Sequence, residues 1–214
     1  MSKEWTMGVV LRSAGVMALA LVLGGCAGNR VSQPSDSSLA DLRARLSMGQ
    51  CTPELSNEVV AAQQASLHLE AAYQCLTNGR LDLSEQLLVD YQNHFAQRAD
   101  QDYAAYLAAL IPYARFELAA GDSVQRLEQG RLAHSQMVAF VRAYPQSQYR
   151  SELATRMEAI LQGMAQAEYD LALVDAEHGQ KARAERRMRY LRDNYPRTPA
   201  AAAAIAWLMD YQGL

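Results

Sequence analysis

The sequence predicts an all-α fold, a solenoid of stacked helix pairs. Three observations carry this. Alanine and leucine dominate while valine, isoleucine and threonine are sparse, a balance that favours helix over sheet. From residue 39 onward apolar residues recur at helical spacing, with no strand-period alternation of useful length. One pattern, a small residue followed by three large ones on the same helical face, occurs three times.

The first element precedes the fold. Lys3 and Arg12 supply positive charge, and Ala14 to Leu23 is an uncharged apolar run. Ten apolar residues are too few to span a bilayer, so the run reads as a signal-peptide core. It ends in Leu23-Gly24-Gly25-Cys26, which resembles the lipobox of bacterial lipoproteins. By that resemblance a signal peptidase removes residues 1–25 and Cys26 carries the lipid. Small residues at 24 and 25 let the backbone enter a narrow protease site. An ordinary secretory signal with a chance cysteine is the alternative. Cleavage leaves 189 residues of formal charge −4. Acyl chains contribute about 0.8 kcal/mol per buried methylene, so the body needs no transmembrane helix. Residue 27 is alanine, which by resemblance to diderm lipoproteins directs no inner-membrane retention. The expected place is the outer membrane, with the body on its periplasmic face. Residues 26–38, rich in Ser, Gln, Pro and Asp, read as a flexible tether.

Residues 39–214 form the helical domain. A short helix is expected over 39–48. Thr52 is a good N-cap with Pro53 at the first helical position, so a long helix runs from 53 to about 78. Further helices are expected over 81–97, 99–120, 123–143, 147–178, 180–194 and 198–212. The repeated sets are Ser84, Leu88, Tyr91 and Phe95; Ala133, Met137, Phe140 and Tyr144; and Ala184, Met188, Leu191 and Tyr195. The small residue lets a neighbouring helix approach, and the large ones fill the groove beyond it. Pro145 and Pro196 stop the last two helices. Gly79 and Gly179 stand five residues ahead of Ser84 and Ala184, where a left-handed residue closes the preceding helix. This is the grammar of tetratricopeptide-like repeats, with periods of 49 and 51 residues in place of about 34. The first helix of each pair has been stretched.

The chemistry-bearing residues are few. Cys51 and Cys75 invite a disulfide in an oxidising compartment. A single helix over 53–78 opposes it, since it places them about 36 Å apart along the axis, against the roughly 7 Å a disulfide allows. The expectation is that they are not joined and that Cys75 packs as a small hydrophobe. His68, His94, His134 and His178 share no helical spacing and fit no metal or catalytic signature, so each reads as a surface or half-buried histidine. No nucleophile motif and no glycine-rich phosphate loop occurs. The expectation is no enzyme, no metal and no cofactor. The acidic mature chain and the shortness of its basic run argue against nucleic acid.

From Asp102 to about Met209 the chain resembles the BamD family, the tetratricopeptide lipoproteins of the outer-membrane β-barrel assembly machine. Asp102-Tyr103 with Tyr106, Tyr144-Pro145-Gln146-Ser147-Gln148-Tyr149 with Arg156, Ala167-Glu168-Tyr169, Glu177-His178-Gly179, Leu191-Arg192-Asp193 and Tyr195-Pro196-Arg197-Thr198 carry the match. The family usually has five repeats and this chain has room for three. The missing part is N-terminal, where the family is thought to receive unfolded barrel precursors.

The resemblance implies partners: the barrel-bearing core subunit BamA, other assembly lipoproteins, and unfolded outer-membrane protein clients. The helix from Lys181 to Arg192 carries Lys181, Arg183, Arg186, Arg187, Arg189 and Arg192 against Glu185. Arg183 and Arg187 lie one turn apart on one face. Arg187 matches an arginine resembling the family's contact to the last periplasmic domain of BamA, so Arg187 and Arg183 are the expected partner-binding residues. Guanidinium groups suit such an interface. A solvated helix whose arginines do nothing specific is the alternative. The function implied is a non-catalytic scaffold that helps insert β-barrel proteins into the outer membrane. The second reading is an adaptor for another envelope machine, such as a secretin pilotin or a cell-wall-division scaffold.

Overall fold

A computed structural model describes residues 35–212, which fold as α-helices joined by short turns. The apolar run and the lipobox with Cys26 lie outside the described residues. No helix among those described is long and apolar enough to cross a membrane.

The chain starts sooner than its polar composition suggests. Ser35 Oγ accepts the backbone N–H of Ser38 and caps α1 (Asp36–Ser47). Asp36 to Ser38 therefore form the first turn of a helix, not the end of a tether. Thr52 Oγ1 accepts the Leu55 N–H and Pro53 opens α2 (Pro53–Ala62), as expected. The long helix then breaks. Gln63 sits in the left-handed region at φ 51°, and α3 (Ala65–Thr77) restarts beyond Gln64. The break folds α3 back, so Cys51 and Cys75 lie 5.2 Å apart between Cα atoms and form a disulfide. The expected separation was wrong because it assumed one unbroken helix.

The repeat body follows as α4 (Leu81–Phe95), α5 (Gln101–Leu118), α6 (Ser123–Ala143), α7 (Arg150–Glu177), α8 (Lys181–Asn194) and α9 (Pro199–Gln212). Successive helices pack against each other. Next-nearest contacts join α3 to α5, α5 to α7 and α7 to α9, which makes the stack a solenoid. The small residues that open the repeated sets, Ser84, Ala133 and Ala184, are all fully buried, and so are Tyr91, Met137, Met188 and Leu191. Burial there is the packing that the stripe predicts, at about 1.5–3 kcal/mol per large side chain. Ser84 Oγ donates to the Ala72 carbonyl at 2.8 Å, so this hydroxyl is satisfied inside the core. Gly79 and Gly179 take φ of 70° and 74°, and the N–H two residues past each helix returns to its last turn. Asp122 Oδ1 caps α6 by accepting from Val124 and Gln125.

Close approach sets the centre of the stack. Gly163 of α7 faces the ring of Phe116 on α5, and a methyl there would overlap Phe116 Cζ and press on the Arg126 guanidinium. Arg126 itself lies over the Phe116 ring at 4.8 Å. Nearer the start of α5, Tyr106 stacks on Tyr149 at 4.5 Å between centroids, and Tyr103 leans on Tyr149 at 5.3 Å. Asp102 accepts from Ser147 Oγ at 2.8 Å and pins the α6–α7 turn to α5.

Candidate partner-binding site

The basic helix α8 does not present all its arginines to solvent. Ala184, Met188 and Leu191 form its buried stripe, as expected. Arg187 lies beside that stripe and turns back onto α7. Its Nη1 donates to Glu168 Oε2 at 2.5 Å and its Nε to Asp175 Oδ2 at 2.9 Å. Glu168 and Asp175 are seven residues apart, two turns along one face of α7, and both side chains are almost wholly buried. Arg131 of α6 reaches the other oxygen of Glu168 at 3.0 Å. Arg183 approaches Asp175 at 3.6 Å and donates to the Gln180 side-chain carbonyl at the turn. Two carboxylates and three arginines thus join α6, α7 and α8.

Electrostatics follow from these distances. Burial works against the charge on Arg187, but the hydrogen bonds to Asp175 and Glu168 outweigh it and raise its pKa above the ordinary arginine value. Buried carboxylates without partners would be costly, so Arg187 is first a structural counter-ion. Arg183 differs, with a side chain 52% exposed. Around them lies an open groove of about 390 Å³ lined by Arg131, Glu168, Arg183, Arg186, Arg187 and Tyr190. Four arginines face two carboxylates, counting Asp175, so the groove keeps an excess of positive charge. Arg186 makes no ion pair among the described residues. The arrangement can receive a carboxylate, with Tyr190 as an aromatic wall.

The histidine expectation also needs correction at one place. His68 is fully buried, not superficial. Its Nδ1 donates to the Gln64 carbonyl at 2.9 Å, and its Nε2 meets the Asp90 carboxylate at 2.7 Å, which ties α3 to α4. His94 touches the other oxygen of Asp90 at 3.3 Å. Among the described residues no cluster of His, Cys, Asp and Glu is arranged to hold a metal ion. Sequence reading missed the acidic half of the arginine network. Glu168 and Asp175 look like ordinary helix-surface residues until the partner helix is placed.

A family model described as outer membrane lipoprotein, YfiO, matches residues 59–213. No curated protein matches the chain. The matched residues begin inside α2 and run through α9, so they include every helix of the arginine network. The chain belongs to the YfiO family of outer membrane lipoproteins, the BamD-like family.

Proposed function

We propose that the chain is a non-catalytic lipoprotein scaffold of the outer-membrane β-barrel assembly machine, anchored through Cys26 with its body on the periplasmic face. The single observation that carries the reading is the family match across 59–213, laid on an all-α repeat stack. Repeat solenoids recognise other proteins through extended surfaces, which suits a scaffold. Its partners in this reading are a BamA-like core subunit, other assembly lipoproteins and unfolded barrel clients. The groove at α6–α8 supports a docking role for Arg183, since that side chain is half exposed and its guanidinium has donors to spare. Arg187 contributes by holding the groove's floor.

The test is affinity purification from gently solubilised outer membranes. A BamA-like subunit in stoichiometric yield supports the reading. A secretin or a division protein in its place overturns it and selects the adaptor function. Arg183→Glu should reduce recovery of the core subunit at least tenfold, about 1.4 kcal/mol, while the circular dichroism melt stays near that of the parent. Unchanged recovery removes Arg183 from the interface.

A further inference from the structure

The helix α1 is weakly tied to the rest of the fold. It buries two side chains, Leu42 and Leu46. Its polar ties lie at the surface: Arg45 grips the Glu58 carboxylate at 2.7 and 3.0 Å, and Arg43 reaches Ser66 Oγ at 3.2 Å. A twelve-residue helix is marginal in water by itself. It also precedes the residues that the family model matches. By contrast the shorter α2 buries Leu55, Val59 and Ala62.

The covalent tie lies in the loop behind α1. Cys51 is bonded to Cys75 near the end of α3, and Asn78 Nδ2 donates to the Gly49 carbonyl of the same loop at 2.6 Å. We propose that the Cys51–Cys75 bond is a redox latch on α1: closed, it fixes residues 35–52 on the repeat body; opened by a dithiol reductant, it releases them while α2 to α9 stay folded.

The exchange balances. Both sulfurs are buried, Cys51 at 8% and Cys75 at 2% residue exposure, so reduction follows local opening of the loop. A thiolate of the reductant attacks the Sγ of Cys51, the less buried residue, and Cys75 leaves as a thiolate. The reductant's second thiol then displaces Cys51. The reductant ends as a disulfide, and its two protons end on Cys51 and Cys75. Closing the latch is the reverse, with a protein disulfide as oxidant accepting two electrons.

The consequence is reach. A chain spans at most about 3.5 Å per residue, so moving the first fixed residue from 35 to 53 adds roughly 60 Å between anchor and body. This part rests on the anchor at Cys26; the release of α1 does not. A closed latch holds the solenoid near the membrane, and an open one lets it reach farther into the periplasm.

The experiment is hydrogen exchange on the full purified chain in detergent, oxidised and after dithiothreitol, beside the double variant Cys51→Ser/Cys75→Ser. Amides of 36–48 should exchange roughly tenfold faster or more in both opened forms, with α4 to α8 unchanged. Trypsin should then cut after Arg43 and Arg45 only in the opened forms. Equal protection of α1 in all forms overturns the latch. So does a loss of protection spread through α4 to α8, which would make the bond a staple of the whole fold. A non-reducing peptide map without a Cys51–Cys75 peptide overturns it as well. None of these measurements uses a partner protein, so failure of the scaffold reading leaves them standing. Mass spectrometry of the N-terminal peptide tests the anchor separately, and an unmodified Cys26 removes the argument from reach alone.

Discussion

Arg187 shares one guanidinium between two buried carboxylates, so its replacement acts on the fold before it acts on any partner. Arg187→Glu sets a third carboxylate against Glu168 and Asp175. The expected loss is about 3 kcal/mol, since removing one partner of a buried pair leaves the other charge uncompensated. Arg183→Glu should cost under about 1 kcal/mol, because that side chain is half solvated and its contact to Asp175 is long. Denaturant midpoints of the two variants check the contrast, and equal losses would remove the structural distinction between them. His68 offers a second case. His68→Leu removes the ring contact to the Gln64 carbonyl, which keeps the backbone N–H of residue 68, and leaves the Asp90 carboxylate with only the longer His94 contact; it should cost about 1–3 kcal/mol by the same measurement.

At the scale of elements, the break between α2 and α3 decides the N-terminal architecture. Gln63 holds a left-handed conformation that costs an L-residue about 1–2 kcal/mol. Glycine removes that cost but loses about 0.5–1 kcal/mol of chain entropy. Gln63→Gly should therefore raise stability by up to about 1 kcal/mol, read as a higher thermal midpoint; a lower one would show that the Gln63 side chain holds the turn. Gly163→Ala goes the other way. Alanine gains about 1 kcal/mol of helix propensity, but the added methyl meets the fully buried Phe116 ring. Overpacking of about 1–3 kcal/mol should leave a net loss. The repeated stripes were legible in the sequence because Ser84, Ala133 and Ala184 stand at helical spacing from large residues. The Gln63 break was not. Glutamine is a good helix former, so no residue at the break marks it, and the turn is seen only once α2 lies on α3 and α4. The disulfide was lost with it, as its possibility depends on that one turn. The arginine side of the candidate site was legible as a basic run. Its carboxylate side was not, because only the placement of α7 against α8 makes Glu168 and Asp175 buried.

For the whole molecule, the buried tyrosines set an alkaline limit. Burial, then the neighbouring Tyr190, raises the Tyr195 phenol to about 12. Burial and the Glu152 carboxylate push Tyr106 up, and burial with Asp100 does the same for Tyr91. A phenol whose folded pKa exceeds its unfolded one stabilises the fold in full below its unfolded pKa near 10.0, and that stabilisation is lost as pH rises through the folded value. Thermal midpoints should therefore fall from pH 10 towards pH 12, with phenolate absorbance rising in step with unfolding. Early titration of all tyrosines without unfolding would contradict their burial. The length of α7 has a further consequence. Its 28 residues make an unbroken rod of about 42 Å. Leu153, Ile160 and Gly163 are buried in its first half, while Glu168 and Asp175 are held from α8 in its second. A continuous helix with no internal proline offers no hinge between the middle and the end of the stack, so the two move as one lever. A partner that spans them meets a preorganised surface, and the entropy that domain closure would consume is spared on association.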